Sequence, residues 1–221
     1  MSSFSLSQIY EAARAAITIF AGQGLPSCLC GGTGCALYGT SRTPNDVDIV
    51  VLTSAYDTEE LKRMVVRSSS KFELKPSRKI GATYKILYYR VYTYGLRACK
   101  VDILTPGIMH IPDANIPIAR IELIDNLPAM PFMPLLLLKL QAWGDHGDSD
   151  RSDFRAKQYF DARDIAELLV IAVMREEHKR DASWLPASFL REAQRRVQRL
   201  KSNLFMDQGA RDEKAWKQIG F

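Results

Sequence analysis

The sequence predicts an α+β fold: a mixed sheet flanked by helices, followed by a C-terminal bundle of helices. Three observations point to it. Runs of β-branched and aromatic residues alternate with helical patterns up to Pro106. Beyond a Pro-rich stretch, the apolar residues recur only at helical spacing. Between the two patterns of the first half lies "CGGTGCALYGTSRTPNDVDIVVL", which places a glycine pair ahead of two aspartates set inside an apolar run.

The elements follow in order. Ser5 and Gln8 form a capping-box pattern, and Ile9, Ala12, Ala13, Ala16, Ile17 and Phe20 then recur as one helical face, stopped by Gly22 and Gly24. "SCLCGG" predicts a short buried strand ending in a tight turn, and "TGCALYG" a short helix stopped by Gly39. "DVDIVVL" predicts a strand, 57–68 a helix, "KFELK" a strand, and "TYKILYYRVYTY" and "RACKVDILTP" two more strands joined by a turn at Tyr94–Gly95. Helices are expected over 135–143, 157–175 and 186–205, with a short one near Trp216. The domain boundaries implied are 1–110, a connector over 111–133, and a helical domain over 134–221.

The composition is that of a globular protein, 47% hydrophobic and 25% charged. A net charge of +5 suits a polyanionic partner such as a nucleotide or RNA without requiring one. Cys28, Cys30, Cys35 and Cys99 lack zinc-site spacing and read as small buried hydrophobes in a reducing, cytoplasmic compartment. The polar start of the chain is no signal peptide, and "MPFMPLLLLKLQAW" is interrupted by prolines and Lys139, so no membrane partner is expected.

The chemistry centres on three carboxylates. Alternate residues of a strand share a face, so Asp46 and Asp48 project together while Val47 and Ile49 enter the core. Asp102, between Val101 and Ile103, projects from its strand in the same way. Should those strands be neighbours, the three acids converge into a site for two magnesium or manganese ions bridged by phosphate oxygens. Gly31 and Gly32 leave the backbone open to a phosphate, Thr33 and Ser41 offer hydroxyls, and Arg42 a fork of donors.

"GGTGCALYGTSRTPNDVDIVV" resembles the signature of the DNA polymerase β-like nucleotidyltransferase superfamily: a glycine pair, a short helix, an Asp-x-Asp strand and a third acid on a later strand. The Leu-Tyr-Gly, the Arg and the spacing are most similar to abortive-infection-type nucleotidyltransferase toxins and their relatives. The resemblance implies a nucleotidyltransferase-fold sheet with Asp46, Asp48 and Asp102 as catalytic metal ligands. It also implies a nucleoside triphosphate as substrate, with Gly31, Gly32, Thr33, Ser41, Arg42 and Lys139 around its phosphates. Transfer RNA or other RNA, a protein side chain and a small hydroxylated molecule are the acceptors it suggests. Gly34 departs from the alanine common there, and the acidic "GDHGDSDRSDF" has no counterpart.

Blander readings stand beside these. Lys139 reads equally as a snorkelling helix lysine, and Asp161 and Asp164 as partners of Arg163 and Lys157. His146 among Asp145, Asp148, Asp150 and Asp153 fits no calcium loop and is expected to be solvated. The helix "LREAQRRVQRLK" is a solvated face or an RNA-tracking one. Two rival functions remain: a catalytically silent nucleotide- or RNA-binding regulator on the same fold, and an RNA-binding helical module with the α/β half as scaffold.

Overall fold

The computed structural model describes residues 4–77, 81–93, 95–108, 111–112 and 116–221, the side chains of 92, 93, 95 and 96 excepted. The chain divides into two compact units: Met1–Leu37, Thr43–Ile111 and Asn115–Met130 form the first, and Tyr38–Arg42, Pro112–Ala114 and Pro131–Phe221 the second.

The first unit is built on a seven-stranded mixed sheet in the order β3-β4-β5-β2-β1-β7-β6. Its strands are β1 (Ser27–Cys30), β2 (Asp46–Val51), β3 (Phe72–Pro76), β4 (Lys85–Thr93), β5 (Gly95–Leu104), β6 (Glu122–Ile124) and β7 (Leu127–Ala129). β2 runs parallel to β5, and β1 parallel to β7; the other neighbours are antiparallel. Three helices accompany it: α1 (Leu6–Gly22), α2 (Gly31–Leu37) and α3 (Thr58–Ser68).

Local chemistry sets the helix starts. The Ser5 hydroxyl accepts from the Gln8 amide while the Gln8 side chain accepts from the Ser5 amide, and Asp57 and Glu60 repeat this reciprocal cap at α3. α1 then buries Ile9, Ala12, Ala13, Ala16 and Phe20, and α3 buries Leu61 and Val65. Both pack on the sheet, where Val47, Ile49, Leu87, Tyr89, Val101 and Ile103 are buried. The Tyr89 hydroxyl, at the margin of this core, donates to Glu11 Oε1 at 2.6 Å.

β6 and β7 lie within the Pro-rich stretch 111–133, of which residues 113–115 fall outside the description. They form a two-residue hairpin in which Asp125 and Asn126 both have positive φ, 51° and 59°. That is the backbone of a twist-compatible tight turn, and Asp and Asn tolerate it. Pro128 hides the strand, because proline cannot donate to a ladder; β7 is three residues long, lies between β1 and the edge strand β6, and carries Pro128 opposite Leu123. Residue 94 of the expected Tyr94–Gly95 turn also lies outside the description, while Thr93 and Gly95 are the last register pair of β4 and β5 beside it.

The second unit is helical: α4 (Phe132–Gly147), α5 (Ser152–Arg155), α6 (Lys157–Met174), α7 (Ala187–Ser202) and α8 (Glu213–Gln218). Pro134 sits in the first turn of α4, where a backbone N–H has no helical acceptor to lose. Leu135, Leu136, Leu140 and Trp143 of α4, Ile165 and Leu168 of α6, and Val197 and Leu200 of α7 are fully buried. Trp216 is buried too, its indole N–H donating to the Ala210 carbonyl at 2.8 Å. Among the described residues no helix is long and apolar enough to cross a membrane.

Leu87 lies at the centre of the first core, fully buried and across from Val101. Leu87→Ala is expected to cost about 2–5 kcal/mol by transfer and cavity terms together, measured as a lower urea midpoint.

Candidate active site

Three aspartates meet on one face of the first unit's sheet. In the parallel register of β2 and β5, Asp46 stands opposite Lys100 and Asp48 opposite Asp102. Residues so paired share a face and lie about 5 Å apart at Cα, with about 7 Å between alternate positions along a strand. The four charged side chains are therefore the corners of a small rectangle. The intervening Val47, Ile49, Val101 and Ile103 are buried on the other face, which fixes the acids outward. The Lys100 ammonium pairs with Asp102 Oδ2, both side chains about one-third exposed.

Gly31 is the boundary of this patch. Its φ is +55°, in the left-handed region, and it opens α2 directly after β1. A Cβ there would lie 2.0 Å from Asp48 Oδ2 and 2.7 Å from its Cγ. The Asp48 carboxylate thus fills the space a side chain at Gly31 would need. Gly32 and Thr33 follow, both buried, and the Thr33 hydroxyl donates to the Asp46 carbonyl at 2.8 Å. That bond ties the start of β2 to the first turn of α2.

Buried thiols stand on both faces of the strands around the acids. Cys30 stands opposite Asp48 on β1. Burial, with the Asp48 charge adding to it, pushes that thiol well above its ordinary range. Burial, and then the charge of Asp46, pushes Cys99 up to about 12. Both stay neutral and add no charge to the patch.

The donor set of three carboxylates suits hard divalent cations such as magnesium or manganese, and the Asp48 cradle keeps one of them against open backbone. Among the described residues, no three acid, imidazole or thiol groups form a ready-made metal cluster. Within the patch, the Lys100 ammonium engages Asp102.

The remaining predicted residues, Ser41, Arg42 and Lys139, belong to the second unit and are gathered there by α6. Ser41 donates its amide and its hydroxyl to Glu167, at 2.5 and 2.6 Å. Arg42 grips Asp164 with two nitrogens, at 2.9 and 2.5 Å. Lys139 lies between Asp161 Oδ1 at 2.9 Å and Asp164 Oδ2 at 2.8 Å, with about a tenth of its side chain exposed. His146 Nδ1 meets the other Asp161 oxygen at 2.5 Å. The expectation that His146 is solvated, and that Asp161 and Asp164 serve Arg163 and Lys157, gives way to this buried array. Lys139, at position i, shares a face of α4 with His146, two turns on, and Asp161 and Asp164 are likewise spaced i, i+3 on α6. That spacing was the signal available in the sequence. Asp148 is also taken, in a two-pronged pair with Arg199.

Burial alone would raise the Asp164 carboxyl, but hydrogen bonding from Arg42 and the charge of Lys139 hold it below its ordinary value. Its stabilisation is therefore complete above the unfolded pKa of about 3.9 and lost as pH falls through the lower folded value. Asp164→Asn leaves buried cations short of a counter-charge and is expected to cost about 3–5 kcal/mol. Urea titrations should show that loss at pH 7 and a gap between variant and wild type that closes below pH about 4. Gly31→Ala is expected to displace the Asp48 carboxylate and to add left-handed strain of about 1–2 kcal/mol. Manganese binding weaker by about tenfold or more, read by electron paramagnetic resonance, is the expected sign; wild-type binding would show that Gly31 does not set Asp48.

Neither a protein-family model nor a curated protein matches the sequence. Solved structures do resemble it. An antigenic nucleotidyltransferase-like protein from Paracoccidioides brasiliensis superposes with a TM-score of 0.64 at 16% identity, over 90% of this chain and 91% of that one. JHP933 from Helicobacter pylori gives 0.45 at 16% identity, over 99% and 90%. ANT(2″)-Ia in complex with adenylyl-2″-tobramycin gives 0.43 at 11% identity, over 76% and 96%. The last two scores are too low to argue from. The first shows that this chain has the fold of a nucleotidyltransferase-like protein.

Proposed function

We propose that the protein is a metal-dependent nucleotidyltransferase, moving a nucleoside monophosphate from a nucleoside triphosphate to a hydroxyl acceptor and releasing pyrophosphate. One observation carries the reading: Asp48 and Asp102 are register partners on parallel strands, with Asp46 two residues along the same face. Three acids in this array, beside a backbone stripped of Cβ at Gly31, match the needs of phosphoryl chemistry better than those of a scaffold.

Asp46 and Asp48 would hold magnesium or manganese, with Asp102 a ligand to the ion nearer the acceptor. The ions supply charge neutralisation at the phosphates and a lowered pKa of the acceptor hydroxyl. The Gly31 and Gly32 amides donate to triphosphate oxygens. Thr33 holds β2 in register with that turn through its bond to Asp46. Asp102 receives the acceptor proton as the acceptor oxygen bonds to the α-phosphorus and the bridging oxygen leaves with pyrophosphate. Ser41, Arg42 and Lys139, which the resemblance also assigns to the triphosphate, carry hydroxyl and cationic donors of the kind that bind phosphate oxygens, and in the second unit those donors engage carboxylates of α6.

Further parts of the reading rest on the sequence. The Leu37-Tyr38-Gly39 run and Arg42 favour the abortive-infection type, the arginines of α7 an RNA acceptor, and the buried thiols a reducing cytoplasm.

The test is incubation with each α-labelled triphosphate and magnesium, alone and with total RNA. Wild type is expected to transfer label, and Asp48→Asn to lose about 10³-fold or more of that rate while keeping its circular dichroism. Undiminished transfer by that variant would refute the proposal.

A further inference from the structure

We infer that the first unit carries a second nucleotide site, apart from the acid patch, with a phosphate on Arg63 and Arg67 and a base against Tyr56. The place is a groove of about 520 Å³ between the end of α1 and the outer side of α3. Gln23, Tyr56, Glu60, Arg63, Met64 and Arg67 line it. That volume falls within the range of about 300–1,000 Å³ usual for small-ligand sites. α3 packs through Leu61 and Val65 on the sheet face that buries Val101 and Val47. The groove therefore lies on the side of the sheet opposite the three aspartates.

The two arginines stand one turn apart on α3 and line the same groove, and like charges at that spacing repel. The acids of their own helix are engaged elsewhere. Glu59 pairs with Lys62 at 2.7 Å, and Glu60 accepts from the Asp57 amide at 2.9 Å in the helix cap. Among the described residues, neither Arg63 nor Arg67 has a hydrogen bond, ion pair or ring contact. Arg42, Arg90 and Arg199, by contrast, each hold a carboxylate. Two guanidinium forks side by side without an acid suit an anion with several oxygens, and phosphate fits that geometry. The rest of the lining selects what the phosphate is attached to. Tyr56 is 42% exposed, a large ring left open to solvent. Met64 adds a polarisable apolar surface, and the Gln23 amide offers both donors and an acceptor to a base edge. An aromatic ring beside cationic forks is the combination that binds nucleotides, singly or within a strand.

The experiment is binding to the intact chain in EDTA, so that divalent-ion chemistry plays no part. Adenosine monophosphate is titrated by calorimetry, and a labelled single-stranded oligoadenylate by fluorescence anisotropy. Wild type is expected to bind at least one of them saturably. Arg63→Ala with Arg67→Ala should weaken that binding about tenfold or more. For the oligonucleotide it should also lower the salt slope by about 1.4, two phosphate contacts at about 0.7 each. Tyr56→Ala should weaken binding about tenfold and Tyr56→Phe should keep it, as a stacking ring requires. Arg180→Ala with Lys214→Ala removes two exposed charges in the second unit and should leave binding within about twofold. Because Arg63 and Arg67 repel each other, their double variant should unfold at the wild-type urea midpoint or above it. Binding of the monophosphate assigns a site for a free nucleotide, and binding of the oligonucleotide alone a strand-binding site. No saturable binding of either probe overturns the inference, as does binding unchanged in the Arg63, Arg67 double variant or lost equally in the Arg180, Lys214 control. The metal-dependent transfer tested above stands or falls separately.

Discussion

Two carboxylates forced to face one another across a parallel strand pair are the constraint from which the first unit's design follows. Asp48 and Asp102 cannot turn away, because the alternate residues of both strands are locked in the core beneath. A like-charge pair set directly opposite is destabilising. Its neighbours answer that cost in different ways. Gly31 gives up a side chain to make room for the Asp48 carboxylate, and Cys30 and Cys99 keep their protons. Lys100 supplies one positive charge where three negative ones gather. Clustered like charges at one patch of an otherwise consistent sheet are what the proposed chemistry would require.

The second unit handles charge differently. Two of its acids, Asp161 and Asp164, are buried rather than exposed at a sheet face, and each is matched: Asp164 by Arg42 and Lys139, Asp161 by Lys139 and His146. Here desolvation is large, and only the close geometry of several partners offsets it. Arg42 and Ser41 come from the short segment between α2 and β2, and both bond to carboxylates of α6. Removing one partner from that array unbalances all the rest, which sets it apart from the half-solvated pair at Lys100.

Much of this was legible in the residues. The strand alternation in "NDVDIVV" and "CKVDIL" placed the three acids on one face, because period two admits no other assignment once the apolar residues are buried. The helices of the second half followed from periodicity, and the capping box at Ser5 from a spacing of three. The adjacency and register of β2 and β5 were not legible, since pairing between distant strands leaves no local trace. Nor was the Lys100 pair, because a lone lysine on a strand looks the same whether or not an acid lies across from it. β6 and β7 were hidden by the prolines around them, although Asp125-Asn126 between apolar residues was a fair sign of a hairpin. The partners of Lys139 were ambiguous for a further reason: matching helical spacing on two helices says which faces are polar, not that those faces meet.

The late hairpin bears on how this polypeptide can be cut. β7 lies alongside β1, joined through Leu29 and Met130, and it leads straight into α4 at Phe132. A fragment ended where the composition changes, near residue 110, would therefore leave β1 with one row of amide and carbonyl groups unpaired, next to the acids. Open strand margins recruit other chains, so such a fragment would invite edge-to-edge self-association. An autonomous piece carrying the carboxylates has to retain the sequence through Met130.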